Sequence, residues 1–165
     1  MEVLYDRFSR QAFGLAYRIL GDGPSAEDVV QEAFLSVWRN ADKIDVTRGK
    51  IQSFVLTLVH HRAIDVVRSR KGLLARQSSI DPADVQKAGP DFTEQVATAM
   101  EGAKVRDALK VLPDDQRQAV DMAYFQGLTH VEISERLGLP LGTVKSRLRL
   151  ALDKMRGALG AGSAA

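Results

Sequence analysis

Cysteine is absent from the 165 residues, which excludes disulfide staples and thiolate metal sites and suits a reducing cytoplasm. Aromatic side chains make up only 6%, with Trp38 the sole tryptophan. A stacking platform of several rings is therefore not expected, and Trp38 at its helical spacing reads as a core residue. No apolar run approaches a membrane span. The opening stretch MEVLYDRFSRQAFGLAYRIL is broken by charges throughout and lacks the continuous apolar segment of a signal peptide. A cytoplasmic chain without membrane insertion is the expectation. Runs that alternate β-branched and polar residues are missing too, which argues against a sheet. The three histidines His60, His61 and His130 are scattered, and there is no glycine-rich phosphate loop or nucleophile elbow. His60 and His61 are neighbours, about 100° apart on a helix, whereas a two-histidine metal site wants i, i+4 spacing. No enzyme, cofactor or metal is expected.

With 45% hydrophobic and 27% charged residues, the chain has enough apolar surface for packed cores. Apolar residues recur at three- and four-residue spacing, so the predicted fold is all-α: two small helical domains joined by a flexible linker, the C-terminal one containing a helix-turn-helix. The first domain, residues 1–71, should hold helices over Val3–Leu20, Ala26–Asn40 and Lys50–Arg70. The Gly21-Asp22-Gly23-Pro24 break separates the first two, and Ser25 with Asp28 reads as the capping pair of the second. Residues 72–93, with two prolines, two glycines and paired serines, sustain no apolar face and read as linker. Fully extended, about twenty residues reach about 70 Å. The second domain, residues 94–160, should hold helices over Glu94–Val111, Asp114–Phe125, His130–Leu137 and Leu141–Leu159, with Asp114 as a cap. The small-residue tail from Gly160 should fray.

The formal net charge of +2 is too small to indicate a partner, so the placement of charge matters more. In GLTHVEISERLGLPLGTVKSRLRLALDKMR, Ile133 and Leu137 face inward, Ser134 is small where two helices approach, and Gly138 can turn the chain. A helix follows at once, which is a helix-turn-helix whose second helix suits a DNA major groove. Its buried stripe should be Val144, Leu148, Ala151, Leu152 and Met155. From Leu141 to Arg156 it carries five basic residues against one acid. Thr143, Lys145, Ser146, Arg147 and Arg149 are the candidate DNA contacts.

In the first domain, Val30, Ala33, Phe34 and Val37 make a buried stripe. Asp28, Gln31, Glu32 and Leu35 project elsewhere, a mixed acidic, amide and apolar patch suited to a basic protein partner. Along Lys50–Arg70, Phe54, Val55, Leu58 and Val59 should pack inward while Arg62, Arg68, Arg70 and Lys71 gather positive charge toward the end.

The segment GLTHVEISERLGLPLGTVKSRLRLAL resembles the DNA-reading C-terminal region of extracytoplasmic-function (ECF) sigma factors. AEDVVQEAFLSVWRN resembles that family's polymerase-binding helix, and SFVLTLVHHRAIDVVRSRK its promoter-reading helix. The resemblance spans nearly the whole chain outside the linker. It implies a factor that binds core RNA polymerase and directs promoter recognition and transcription initiation, under control of an anti-sigma factor. The alternative is a stand-alone helix-turn-helix regulator. The resemblance further implies that Asp28, Gln31, Glu32 and Leu35 meet the clamp coiled coil of the largest polymerase subunit. Residues 94–160 would read the minus-thirty-five element. Residues 1–71 would read and melt the minus-ten element with Lys43, Arg48, His60, His61, Arg62 and Arg68, the loop Ala41–Gly49 forming a pocket for extruded bases. His61 stands where many members carry asparagine, a departure that implies altered promoter preference.

Overall fold

A computed structural model of the protein describes residues 2–44, 51–70 and 103–163, all of whose regular elements are helical. The expected linker, the first part of the predicted helix from Glu94, and Arg48 lie outside the described residues. The chain divides into two compact units, Met1–Thr98 and Ala99–Ala165.

The first unit contains α1 (Glu2–Leu20), α2 (Gly23–Arg39), a 3-10 turn (Ala41–Lys43) and α3 (Ile51–Arg70). Each of the three α-helices packs on the other two. Phe8, Ala12, Leu15, Ala16 and Ile19 form the inward stripe of α1, at the spacing that keeps side chains on one helical face. α2 buries Val30, Ala33, Phe34 and Val37 as expected, together with Ala26 and Val29. α3 departs from an amphipathic helix: every residue from Ser53 to His60 is buried. A helix enclosed on all sides is the central element of its core. Full burial of side chains such as Leu56 and Leu58 contributes about 1.5–3 kcal/mol each.

The corner between α1 and α2 differs from the predicted cap. Gly21 adopts a φ of 80°, which a residue with a side chain rarely does, and its N–H donates to the Tyr17 carbonyl at 2.8 Å. Asp22, not Ser25, caps α2, accepting the Ser25 N–H at 2.9 Å. Gly23 and Pro24 then occupy the first turn, where an N–H has no intrahelical partner to lose. From the far end of α3, Arg70 donates to the Leu20 carbonyl at 3.3 Å, to Asp22 at 3.1 Å and to the Ser25 hydroxyl. One carboxylate thus joins the start of α2 to the end of α3.

In the second unit, α4 (Ala103–Val111), α5 (Asp114–Val120), α6 (His130–Leu137) and α7 (Leu141–Ser163) form the core, with α4, α5 and α6 all packed on α7. Val144, Leu148, Ala151 and Met155 are the buried face of α7, whereas Leu152 sits half-buried at its edge. Pro113 rather than Asp114 is the cap residue of α5, with no side-chain hydrogen bond, and Asp114 falls in the first turn. Arg117 closes the preceding helix by donating to the carbonyls of Leu109 (3.0 Å), Leu112 (2.8 Å) and Lys110 (3.3 Å). These are terminal acceptors that the helix itself cannot satisfy.

The predicted helix to Phe125 holds only to Val120, after which Asp121–Phe125 widens into a π-helical turn. The consecutive rings of Tyr124 and Phe125 are both buried there, edge to face at 4.8 Å. At its other end α7 continues to Ser163 instead of fraying at Gly160, with no proline to stop it.

Because hydrogen bonds from Ser25, and then Arg70, hold the Asp22 carboxyl below 3.8, its folded-state stabilisation is present above that value and lost as pH falls through the lowered pKa. Asp22→Ala should lower the melting temperature at neutral pH. The difference from the parent chain should shrink in acid, as read by circular dichroism.

Candidate functional site

Three surfaces carry the residues singled out in the sequence. The first is the outer face of α7. Its entry is built by Thr129 and Glu132, which cap α6 reciprocally through hydrogen bonds of 3.2 and 2.8 Å. Gly138 closes α6 at a φ of 63°, and the Ser134 hydroxyl donates to the Leu139 carbonyl across the turn. The Pro140 carbonyl then accepts from the N–H groups of Thr143 and Val144, so the turn and the start of α7 are held by local bonds. On this helix Lys145, Ser146 and Arg149 are exposed and Thr143 is half-exposed. Arg147 is placed differently: half-buried, it reaches back to Asp115 of α5 at 3.5 Å. Leu150, an exposed apolar neighbour of Arg149, was not among the predicted contacts.

The second surface is the outer face of α2, where Asp28, Gln31, Glu32 and Leu35 are all exposed. Their i, i+3, i+4, i+7 spacing sets them along one side of the helix. Beside them lies a groove of about 490 Å³ lined by Glu2, Tyr5, Gln31, Phe34, Leu35 and Trp38. Trp38 is 62% exposed, which overturns its assignment to the core. Phe34 and Val37 take the inward positions of that turn, leaving the indole on the rim. Projection at 100° per residue sets Trp38 within about 20° of Gln31, a signal the sequence did contain. Tyr5, also missed, meets Phe34 edge to face at 5.0 Å.

The third surface runs along the second half of α3 and the 3-10 turn. Lys43 is exposed on that turn. His60 is only 5% exposed, inside the enclosed stretch of α3, and this corrects its assignment as a DNA contact. His61, Arg62 and Arg68 are half-exposed. Asp65 lies among them: burial pushes its carboxyl above 3.8, while the positive charges of His61, Arg68 and Arg62 act in the opposite direction. Arg62 leans toward α2 and meets Glu32 at 3.5 Å, so residues expected on two different surfaces touch. Among the described residues no cluster of three or more His, Asp or Glu side chains could hold a metal ion.

Two family descriptions match the chain, Sigma-70 region 2 over residues 4–72 and Sigma-70, region 4 over residues 102–155. The protein is similar to the ECF RNA polymerase sigma factor SigK of Mycobacterium tuberculosis (strain H37Rv), with 38% identity over 155 residues, 94% of this chain and 83% of that protein. It is likewise similar to SigK of Mycobacterium ulcerans, with 37% identity over 159 residues, 96% of this chain and 85% of the relative. A solved structure of the sigma factor RpoE in complex with the anti-sigma factor NepR, from Bartonella quintana, aligns over 96% of both chains at 19% identity and a TM-score of 0.40.

The burial of His60 has a chemical consequence. Diethyl pyrocarbonate should label the exposed His130 in the native protein, whereas His60 should be labelled only after unfolding, as followed by peptide mass spectrometry.

Proposed function

The chain belongs to the ECF sigma factors, transcription initiation factors that work with bacterial RNA polymerase at promoter DNA, and from that premise we propose how its surfaces divide the work. The outer face of α2 docks on core polymerase, with Asp28, Gln31, Glu32 and Leu35 against the clamp coiled coil of the largest subunit. The second half of α3 and the turn before it meet the minus-ten element, and the outer face of α7 meets the minus-thirty-five element. The observation that carries this reading is the segregation of chemistry: an acidic and apolar face on α2, and the exposed cations Lys145 and Arg149 on the helix of a helix-turn-helix. Acids with an apolar anchor favour a basic protein and repel phosphate, while donors on a groove-sized helix favour DNA.

Within this reading Lys43, His61, Arg62 and Arg68 remain the minus-ten candidates of the first unit, joined by Arg48 from outside the described residues. Thr143, Lys145, Ser146 and Arg149 are the contacts of the second unit, and Arg147 serves first to tie α7 to α5. Control by an anti-sigma protein that covers the polymerase-binding face belongs to the same reading and rests on the family. So does a cytoplasmic location, where polymerase works. Family membership sets aside the stand-alone regulator, which would bind an operator without polymerase.

The chain has no energy source of its own to open a duplex, so it can only capture bases that have left the stack. Unstacking costs a few kcal/mol, offset by contacts to the captured strand. Polymerase adds binding sites in series with those of the factor, which raises the effective concentration of each DNA-reading helix at its element.

Run-off transcription with purified core polymerase on a promoter library tests the reading. Initiation at defined sites is expected only when the chain is added, and a core enzyme that gains no start site would contradict it. Leu35→Asp should weaken core binding at least tenfold without lowering the melting temperature, because Leu35 is exposed. Arg149→Ala should cost about 1–3 kcal/mol of promoter affinity if the guanidinium pairs with a guanine, measured by electrophoretic mobility shift of the holoenzyme.

A further inference from the structure

Glu32 and Arg62 stand at the meeting of two surfaces, one on the helix read as the polymerase face and one on the helix read as promoter-facing. Their ion pair spans 3.5 Å between a single Arg62 terminal nitrogen and one Glu32 oxygen. The two ends are unequal: the Glu32 side chain is 69% exposed, that of Arg62 23%. The Arg62 Nε is buried without a hydrogen-bond partner among the described residues. The guanidinium is thus buried at its base, and its charge is answered from outside by a carboxylate that another protein can reach. Arg62 also bears on Asp65, as His61 and Arg68 do.

We propose that this ion pair masks Arg62: in the free chain Glu32 neutralises an arginine on the promoter-reading helix, and engagement of Glu32 by a basic group of core polymerase releases that charge to a DNA phosphate. The proposal rests on the division of surfaces given above and adds a coupling between two of them. A single contact of 3.5 Å to a largely exposed Glu32 contributes little to stability, so exchanging the partner of Glu32 does not threaten the fold. An intramolecular carboxylate also competes with phosphate for the same donors, so DNA binding must first break the pair. Polymerase breaks it in advance, and the free chain is left with weaker DNA binding than its cations would otherwise give.

The experiment uses the full chain and a short fluorescein-labelled single strand of mixed sequence, with affinity read by anisotropy across a salt series. Glu32→Gln should bind roughly five- to tenfold tighter than the parent at about 50 mM salt, with a salt slope steeper by about 0.7, the signature of one more phosphate neutralised. Glu27→Gln removes an equal charge from an exposed position on the same helix and should give no comparable gain. The gain should also vanish when Arg62→Gln is combined with Glu32→Gln. Unchanged affinity in Glu32→Gln, or an equal gain from Glu27→Gln, would overturn the mask. Core binding is measured on the same variants by surface plasmon resonance. Weaker core binding by Glu32→Gln with unchanged DNA affinity overturns the mask and leaves the polymerase face standing. Undiminished core binding overturns Glu32 as a polymerase contact and, with it, the trigger.

Discussion

The enclosure of α3 from Ser53 to His60 constrains everything else in the first unit. Once one helix is buried all round, α1 and α2 must each give it an apolar face, and only their outer sides remain for partners. The outer side of α2 then becomes a surface of acids, an amide and Leu35, with Trp38 and Tyr5 along a neighbouring groove. The cationic side chains of α3 emerge only in its second half, past the enclosed stretch. Arg70 returns to the Asp22 corner, so the end of α3 and the start of α2 share a fixed point. The two proposed functions of the unit are therefore mounted on elements that cannot shift independently without breaking a common core.

The second unit solves a similar problem with one long helix that serves as floor of the core and as the proposed reading surface. The inward side of α7 packs under α4, α5 and α6, and the outward side carries Lys145, Ser146 and Arg149. α7 is oriented by its own core, and the bond from Ser134 to Leu139 together with the capping box at Thr129 holds the turn before it. Under the proposed reading, rigidity at this turn matters because contacts to base edges discriminate only when donors arrive in register. Arg147 shows the cost of using one helix for both purposes: it lies between the faces and is drawn to Asp115.

Where a local pattern decided the outcome, it was legible in the sequence. The stripes of α2 and α7, the glycine turn at Gly138 and the exposed patch from Asp28 to Leu35 all follow from helical spacing. Asp22 as cap was legible too, since a carboxylate followed by Gly-Pro is a better first turn than Ser25 followed by Ala26. Tertiary packing decided the rest. His60 resembles a surface histidine beside His61 until the packed unit encloses it, and Trp38 resembles core until Phe34 and Val37 have taken the inward positions. The approach of Arg62 to Glu32 joins residues 30 apart in sequence on different helices, which no periodicity reveals. The π-helical turn after Val120 likewise coincides with the burial of two successive rings, which no helical spacing announces.

The central claim is spatial: one face of α2 for polymerase, the outer face of α7 for DNA. Photocrosslinking within an assembled initiation complex addresses it most directly, with a photoreactive amino acid placed at Leu35 in one preparation and at Arg149 in another. The account predicts adducts from position 35 with the largest polymerase subunit and none with DNA, and adducts from position 149 with the duplex upstream of the start site. Adducts from position 35 with DNA, or from position 149 with polymerase alone, would contradict it.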